Sequence, residues 1–184
     1  MASTSDRLSG FRKRKDVFFK EHDQSPLTPE QRKAFRGLSH FEENPDLRLI
    51  LDLDTSGEGI GEDVTIGTVS GEAKQYTRAG RVSFDVEGER VTLTVFRERT
   101  RGHLFMPFRD ATAGNETYGV GRYLEPKLLP DGRISLDLNL AYNPYCAYNH
   151  GWSCPIPPFE NIVKVPIKAG ERLPDLPPAN TPAH

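Results

Sequence analysis

The most regular stretch of this sequence is residues 82–95, which read Val82-Ser-Phe-Asp-Val-Glu-Gly-Glu-Arg-Val-Thr-Leu-Thr-Val95. Apolar and polar residues alternate on both sides of Glu87-Gly88-Glu89, and a period of two is the pattern of a half-buried strand. Two such runs joined by a short loop that contains glycine predict an antiparallel hairpin. The fold is therefore expected to be built on antiparallel β-structure.

Further strands are predicted on both sides of this hairpin. In residues 47–53 the four leucines share one face and alternate with Arg48, Ile50 and Asp52. The other candidate strands are residues 64–69, 75–86, 103–108, 117–124 and 133–140. No helix-length crossover separates them, so a parallel sheet is not expected. The predicted fold class is mainly β, an antiparallel β-barrel or sandwich-like domain with two N-terminal helices packed against it.

The two helices are predicted from their capping signals. Ser3 and Asp6 form a capping-box-like start, and apolar residues then recur at helical spacing as far as residue 22. Thr28-Pro29-Glu30-Gln31 begins a second, short helix that should end near Gly37. Residues 1–44 are thus expected to be a helical segment that docks on a β-rich body of residues 45–172, in one structural domain. The Pro-rich tail, residues 173–184, is expected to be extended or disordered.

Charge and hydropathy exclude several classes of partner. With a formal net charge of −2 and a pI near 6.2, the chain offers no basic surface for a nucleic-acid backbone, so no nucleic-acid partner is expected. The N-terminus has no apolar segment, and no stretch approaches the roughly 18 apolar residues of a membrane span. A cytoplasmic location without a membrane partner is the expectation. The sequence does not indicate the oligomeric state.

Residues 108–123 form the first candidate for chemistry. Arg109 and Arg122 could each bind a carboxylate or phosphate with two hydrogen bonds, and Asp110 and Glu116 could accept protons or pair with these arginines. The alternative, an internal ion-pair network that fixes the loop, is favoured because the opposite charges are close in sequence. Partial burial with an internal partner is expected for Arg109, which follows an apolar strand.

The glycines in this loop, Gly114, Gly119 and Gly121, do not have the spacing of a phosphate-binding or dinucleotide-binding loop. They are expected to relieve backbone crowding instead.

Residues 139–158 contain both cysteines and the only tryptophan. Cys146, His150 and Cys154 are four residues apart, but prolines interrupt any helix there and no fourth ligand is near, so no metal site is predicted. A disulfide between the cysteines would stabilise the fold by roughly 2.5 kcal/mol. Cys146 as a nucleophile would need a base to form its thiolate. Buried, inert thiols are the third alternative and the expected one.

The aromatic residues and asparagines of the same loop allow two interpretations. They build the wall of a pocket with a few directed polar groups, or they are hydrogen-bonded filling that allows an irregular loop to be buried. The sequence does not favour either. The residues concerned are Asn139, Tyr142, Asn143, Tyr145, Tyr148, Asn149 and Trp152.

The same residues carry a family resemblance. The motifs are Ser25-Pro-Leu27, Phe35-Arg-Gly-Leu38, Phe108-Arg-Asp-Ala-Thr112, Gly121-Arg-Tyr-Leu124, Ala141-Tyr-Asn-Pro-Tyr-Cys-Ala-Tyr148, Cys154-Pro-Ile-Pro-Pro158 and Ala169-Gly-Glu171. In them the chain resembles the DUF1684 family, a domain of unknown function found in bacteria and archaea, from Arg12 to about Arg172. The resemblance implies no activity and assigns no role to any residue.

Two hypotheses about function follow. The first is an uncharacterised soluble domain that binds a small anionic or polar molecule between the loops of residues 109–123 and 139–154. The second is a structural or protein-interaction module with no catalytic activity. The sequence identifies no catalytic residue, reaction class or cofactor. The ligand-binding candidates are Arg109, Asp110, Glu116, Tyr118, Arg122, Asn139, Tyr142, Asn143 and Cys146.

Overall fold

The structure is a computed structural model that describes residues 1–179. Its longer elements are the helices α1 (Thr4–Glu21) and α2 (Pro29–Ala34) and the strands β1 (Arg48–Leu51), β2 (Asp63–Gly67), β3 (Ala73–Val86), β4 (Glu89–Glu98), β5 (Leu104–Phe108), β6 (Arg122–Leu124), β7 (Lys127–Leu128) and β8 (Ile134–Asp137). The strands form a five-stranded sheet in the order β2-β3-β4-β5-β6 and a three-stranded sheet in the order β1-β8-β7. Neighbouring strands are antiparallel. The prediction of a mainly β fold with antiparallel sheets is confirmed.

The β3–β4 hairpin pairs the residues that the sequence predicts. Val82 lies opposite Leu93, and Phe84 lies opposite Val91. The loop is one residue shorter than predicted, because Glu89 pairs with Val86. Glu87 and Gly88 then form the turn with φ of 52° and 81°, and two positive φ values in a two-residue loop match the right-handed twist of the flanking strands.

The two sheets share one hydrophobic core. It contains buried residues of β3, β4, β5 and β6 from one sheet and Ile134 and Leu136 of β8 from the other. In β1 the predicted alternation is confirmed, since Leu49 and Leu51 pack against this core while Ile50 is 57% exposed. The inward faces of both sheets are therefore the faces that the sequence pattern indicates.

Two predicted strands are shorter than expected because local hydrogen bonds compete with the sheet. Residues 117–121 form turns, in which Thr117 N–H donates to the Thr112 carbonyl and Gly121 N–H to the Tyr118 carbonyl. At the end of β8 the Asp137 carboxylate accepts from Asn139 N–H and starts a 3₁₀ helix, Leu138–Leu140. Leu140 is 38% exposed as a result. The short strand β7 has no counterpart in the prediction.

Both helices begin at the predicted caps. The Ser3 and Thr28 side chains accept from the backbone N–H groups of Asp6 and Gln31, and both capping boxes are complete. The second helix ends at Ala34 rather than near Gly37. The helices dock through an apolar cluster that contains Phe19, Leu27, Phe35 and Tyr148, with Leu176 packed against it.

The first part of the Pro-rich tail, which includes Leu176 and Pro177, packs against the N-terminal helices. The Gln31 side-chain amide donates to the Tyr148 carbonyl at 2.8 Å and to the Pro177 carbonyl at 3.1 Å. Residues 180–184 of the predicted tail lie outside the described residues. Within residues 1–179, the two helices are too short or too polar for a membrane-spanning segment.

The core assignment predicts the effect of two truncations. Leu93 is fully buried and Leu136 is 1% exposed, so Leu93→Ala or Leu136→Ala should lower the free energy of unfolding by roughly 2–5 kcal/mol, because each leaves a cavity. Ile50→Ala is the matched control on β1 and should change the free energy of unfolding by less than about 0.5 kcal/mol. Urea unfolding monitored by circular dichroism measures all three, and an equal loss in the control and the core variants would contradict the assignment.

Candidate functional site

Arg122 and Asp110 form a buried ion pair at the centre of the predicted site region. Arg122 lies on β6 and Asp110 follows β5, and their side chains are 1% and 2% exposed. The Arg122 Nη2 atom lies 3.4 Å from Asp110 Oδ1. Asp110 also accepts from the Thr112 hydroxyl at 2.8 Å and from Ile167 N–H at 2.6 Å. Because the lone pairs of this carboxylate are occupied, Asp110 has an internal role rather than an open binding function.

The Arg122 guanidinium also binds the backbone of the C-terminal segment. It donates to the carbonyls of Ile167 at 2.8 Å, Ala169, and Glu171 at 3.1 Å. The Arg122 Cζ atom lies 5.2 Å from the ring centroid of Phe108. Burial lowers the pKa of Arg122, and the nearby Asp110 carboxylate partly offsets this. Of the predicted internal ion-pair network, the pair of Arg122 and Asp110 is therefore present.

The expectation for Arg109 is wrong. Arg109 is exposed. Its internal contacts are made by the backbone and not by the guanidinium. Arg109 N–H donates to the Asn161 carbonyl, and the Arg109 carbonyl accepts from Val163 N–H. The physical reason is strand alternation, which directs Phe108 into the core and the next side chain outward. Within residues 1–179 the Arg109 side chain has no ion-pair partner within 4 Å.

The other polar candidates have structural contacts. Glu116 lies at the surface near Lys168 and Arg172, at 3.5 and 3.9 Å. Asn139 joins two segments, since its side-chain amide donates to the Asn44 carbonyl at 2.9 Å and its Oδ1 accepts from Asn44 N–H at 2.8 Å. Asn143 donates from its side chain to the Arg172 carbonyl at 2.9 Å. The structure thus does not bring these three together with Arg122 in one open site.

Gly121 is required where the loop of residues 109–123 enters β6. Its φ is 131°, and an added Cβ would lie 2.5 Å from the Phe108 carbonyl oxygen and 2.8 Å from Pro157 Cγ. The prediction that a glycine relieves backbone crowding here is confirmed.

Glu171 organises the loop of residues 139–154. Its Oε1 atom accepts from Asn143 N–H at 3.0 Å and from the Tyr148 hydroxyl at 3.2 Å, and its Oε2 atom pairs with Lys15 of α1. The residue is 3% exposed. One carboxylate therefore fixes the aromatic loop and α1 relative to each other.

A concave cavity opens between α1 and this loop. Its volume is about 440 Å³, and its lining is largely aromatic. We call it the aromatic pocket. It is lined by Phe11, Lys15, Tyr123, Tyr142, Pro144, Tyr145, Trp152, Ser153, Cys154 and Pro155.

Ring contacts hold the walls of the aromatic pocket in place. Tyr145 and Trp152 are in an edge-to-face contact with centroids 5.0 Å apart, and Tyr123 and Tyr142 are in another at 5.8 Å. The Lys15 ammonium lies 5.0 Å from the centre of the Tyr142 ring. The Tyr142 hydroxyl donates to Glu125 at 3.3 Å. Burial raises the pKa of Tyr142, so it remains a neutral donor.

Cys154 lines the aromatic pocket, and Cys146 belongs to the 3₁₀ helix Tyr145–Ala147. Both cysteines are free thiols; Cys154 is buried and Cys146 is half-buried. The Tyr118 hydroxyl lies 3.5 Å from Cys146 Sγ. Interaction with Cys146 lowers the pKa of Cys154 to about 6, and interaction with Cys154 together with burial raises the pKa of Cys146. The two cysteines therefore differ in their tendency to ionise.

A second cavity adjoins the aromatic pocket. Its volume is about 600 Å³, and it shares Tyr123, Tyr142 and Pro155 with that pocket. We call it the charged cavity, because its lining includes Lys74, Arg99, Arg101, His103, Glu98 and Glu125.

Two cations of the charged cavity lack an acidic partner. Arg99 is paired with Asp63 at 3.2 Å, whereas the side chains of Lys74 and Arg101 have no ion-pair partner within 4 Å among residues 1–179. The Glu98 carboxylate is occupied by the N–H groups of Thr100 and Arg101, at 2.8 and 2.5 Å. The two adjoining cavities, which together we call the groove, therefore differ in their lining: one is aromatic and the other has available positive charge.

Among the described residues, no group of three or more His, Cys, Asp and Glu side chains is arranged to hold a metal ion. His150, the middle residue of the considered Cys-His-Cys spacing, is exposed.

Several residues of the groove are not among the sequence candidates. Phe11 and Lys15 come from α1, and Lys74 and Arg101 come from β3 and the β4–β5 loop. They are far from residues 139–154 in sequence and belong to an ordinary amphipathic helix and an ordinary hairpin.

Comparisons with known proteins agree with this architecture. A family model described as "Protein of unknown function (DUF1684)" matches residues 33–172. A solution NMR structure of an uncharacterized protein from Haloarcula marismortui is similar, with 42% sequence identity and a TM-score of 0.67. The similarity covers 91% of this chain and 93% of that chain. Among curated proteins, none matches the chain.

The contrast between the two arginines gives a matched pair of variants. Arg122→Lys should lower the free energy of unfolding by roughly 3 kcal/mol, because an ammonium cannot bind the carboxylate and three carbonyls at once. For a chain of this size that corresponds to a Tm lower by roughly 6–12 °C. Arg109→Lys should change the stability by less than about 0.5 kcal/mol, since its side chain is exposed. Thermal unfolding by calorimetry compares them, and the reverse order would refute the placement of the internal network.

Proposed function

Because the chain belongs to the DUF1684 family, a family of unknown function, we propose a function from the geometry of this member: it binds a small amphipathic acid in the groove formed by the aromatic pocket and the charged cavity. The flat apolar part of the ligand occupies the aromatic pocket. Its carboxylate, phosphate or sulfonate group lies at the charged cavity. The supporting observation is that the two cavities share Tyr123, Tyr142 and Pro155, so one molecule can span both.

The aromatic pocket supplies the apolar part of the binding energy. Five of its lining side chains are aromatic, and they leave about 440 Å³, which is within the range of small-molecule sites. Burial of one aromatic ring among them would contribute roughly 1.5–3 kcal/mol, with edge-to-face contacts adding about 1 kcal/mol. Trp152 is 37% exposed and Phe11 is 41% exposed, so both retain apolar surface that a ligand would cover.

The charged cavity supplies the preference for an anion. Lys74 and Arg101 are both exposed and without an acidic partner among residues 1–179. Attraction between exposed charges is weak and is screened by salt. Their contribution should therefore set the selectivity for an acid and make the affinity decrease with ionic strength.

This site differs in part from the one that the sequence predicts. The loop of residues 139–154 supplies most of the aromatic pocket, whereas the stretch of residues 109–123 supplies only Tyr123. Arg122 and Asp110 are buried and paired with each other, so the anion is assigned to Lys74 and Arg101 instead. In the proposed domain organisation, the helical segment of residues 1–44 completes the site, because α1 adds Phe11 and Lys15 to the β-rich body of residues 45–172.

The second hypothesis, a structural or protein-interaction module with no catalytic activity, also has a supporting observation. Three apolar side chains are exposed on one short segment, with Ile156 at 42%, Phe159 at 90% and Ile162 at 43%. An apolar cluster of this kind is a common feature of protein–protein contacts. The internal pairing of Arg122 and Asp110 fits this hypothesis as well.

A fluorescent amphipathic acid tests the first hypothesis. The probe is 8-anilinonaphthalene-1-sulfonate, which joins a flat aromatic body to a sulfonate. It should bind the folded protein saturably at one site, and Trp152, the only tryptophan, should transfer energy to it. Tyr145→Ala should weaken the affinity about tenfold, equivalent to about 1.4 kcal/mol. Lys74→Ala should weaken it roughly threefold at low salt and less at high salt.

Two control variants lie outside the groove. Phe159→Ala removes the most exposed aromatic ring, and Arg133→Ala removes a cation that is paired with Asp131 at 2.8 Å. Both should leave the affinity for the probe unchanged. If Phe159→Ala weakens binding while Tyr145→Ala does not, the probe occupies the exposed apolar segment. That result would support the interaction-module hypothesis. Native mass spectrometry of the purified protein would then show whether an endogenous acid is retained.

A further inference from the structure

A further cavity lies between α1 and the strands β6, β7 and β8. Its volume is about 620 Å³, which is within the range of small-molecule sites. From α1 it is lined by Thr4, Arg7, Leu8 and Phe11, which recur at the spacing of one helix face. We call it the helix cavity. It adjoins both cavities of the groove at Tyr142, which lines all three.

The helix cavity is open because α1 is attached to the body along a different flank. The Ser5 hydroxyl donates to the Glu43 carboxylate at 2.6 Å, and the Asp16 carboxylate accepts from Leu38 N–H at 2.9 Å. Ser5 and Asp16 are about three helical turns apart, so they share a flank, which is roughly a third of a turn away from the face that carries Phe11. These contacts therefore hold α1 in place without closing that face onto the strands.

The interior of the helix cavity is aliphatic. Phe11 and Tyr142 are its only aromatic lining residues, and both also line the aromatic pocket. A lining of branched aliphatic side chains offers apolar contact without ring faces, so it suits a hydrocarbon chain better than a flat ring. The aliphatic lining residues are Leu8, Leu124, Pro126, Leu136 and Leu140.

Two cations of the helix cavity lack an acidic partner. Arg7 and Lys127 are exposed, and neither side chain has an ion-pair partner within 4 Å among residues 1–179. The two carboxylates of the lining are already engaged: Asp137 accepts from Arg48 Nε at 3.1 Å, and Glu125 accepts from a tyrosine hydroxyl at 3.3 Å. An aliphatic interior is therefore combined with unmatched positive charge at the side that faces solvent.

We propose that the helix cavity is a second binding site, which takes an aliphatic carboxylic acid of medium chain length. The hydrocarbon chain lies among the leucines between α1 and the strands, and the carboxylate is bound by Arg7 and Lys127. The lining face of α1, from Thr4 to Phe11, is roughly 10 Å long. This length limits how much of a chain the cavity covers, so longer chains extend into solvent.

This proposal goes beyond acid binding in the groove and does not depend on it. The groove is assigned a flat aromatic body, with Tyr145 and Lys74 as distinguishing contacts, whereas the helix cavity is assigned a flexible chain, with Leu140 and Arg7 as distinguishing contacts. Each site is thus tested with its own ligand and its own variants.

The test is calorimetric titration of the full-length chain with sodium octanoate, decanoate and dodecanoate, each below its micelle concentration. One molecule should bind per chain. The affinity should increase about fourfold for each added methylene that is buried, and it should level off once the chain exceeds the cavity. Decanol should bind more weakly than decanoate, and this difference should decrease at high salt because exposed charges are screened.

Variants of the lining assign the two parts of the ligand. Leu140→Glu places a like charge on the apolar wall and should weaken decanoate binding at least about tenfold. Arg7→Ala and Lys127→Ala should each weaken it about threefold at low salt and leave decanol binding unchanged. Lys13→Ala is the matched control, because it removes an exposed cation of α1 that does not line the helix cavity. It should leave both affinities unchanged.

Variants of the groove distinguish the two sites. Tyr145→Ala and Lys74→Ala should leave the affinity for decanoate unchanged, and Lys127→Ala should leave the affinity for the fluorescent sulfonate unchanged. Circular dichroism checks that each variant is folded. If Leu140→Glu does not fold, nuclear Overhauser effects from bound decanoate to the methyl groups of Leu8 and Leu140 in the native chain decide where the acid lies.

Two results would overturn the proposal. In the first, decanoate does not bind the folded chain below its micelle concentration. In the second, decanoate binds but Tyr145→Ala abolishes binding while Leu140→Glu and Arg7→Ala have no effect. The acid would then occupy the groove, so this inference would fail while the proposed function of the groove would be supported.

Discussion

The buried guanidinium of Arg122 is the constraint on which the rest of the site region depends. A guanidinium with 1% exposure needs partners for its charge and for most of its hydrogen-bond donors, and in Arg122 the Nε atom alone has no hydrogen-bond partner. Here the donors reach Asp110 from the β5–β6 loop and three carbonyls of residues 167–171. A single side chain on the edge strand β6 therefore fixes two irregular segments, the β5–β6 loop and residues 167–171.

Glu171 transmits this constraint to the aromatic loop. Its carbonyl accepts from Arg122, and its carboxylate accepts from Asn143 N–H and the Tyr148 hydroxyl and pairs with Lys15. The position of the loop of residues 139–154 thus depends on the Arg122 network, and so does the position of α1. Because the walls of the aromatic pocket come from these two parts, a structural ion-pair network sets the shape of the groove without lining it.

The same arrangement explains why the polar motif and the open groove lie in different places. Arg122 and Asp110, which belong to the motifs that carry the family resemblance, are engaged in internal hydrogen bonds. The groove is instead lined by aromatic rings, by Cys154, and by the exposed cations Lys74 and Arg101. Buried charges with complete hydrogen bonding rigidify a fold, whereas binding requires groups that retain unsatisfied capacity. Acid binding is therefore assigned to the second set.

The sequence by itself determined the parts of this protein that depend on local chemistry and on the period of apolar residues. The capping boxes at Ser3 and Thr28, the β3–β4 hairpin and the inward face of β1 follow from such short-range patterns. The family motifs likewise indicated the region of residues 108–158. The tertiary structure alone decided the exposure of Arg109, the shortening of β6 and β8, and the assembly of the groove. These depend on contacts between segments far apart in sequence: Lys15 pairs with Glu171, Arg122 donates to Ile167, and Lys74 lines one cavity together with Tyr123. A pattern of period two or 3.6 reports which face is buried, but it carries no information about which distant segment covers that face.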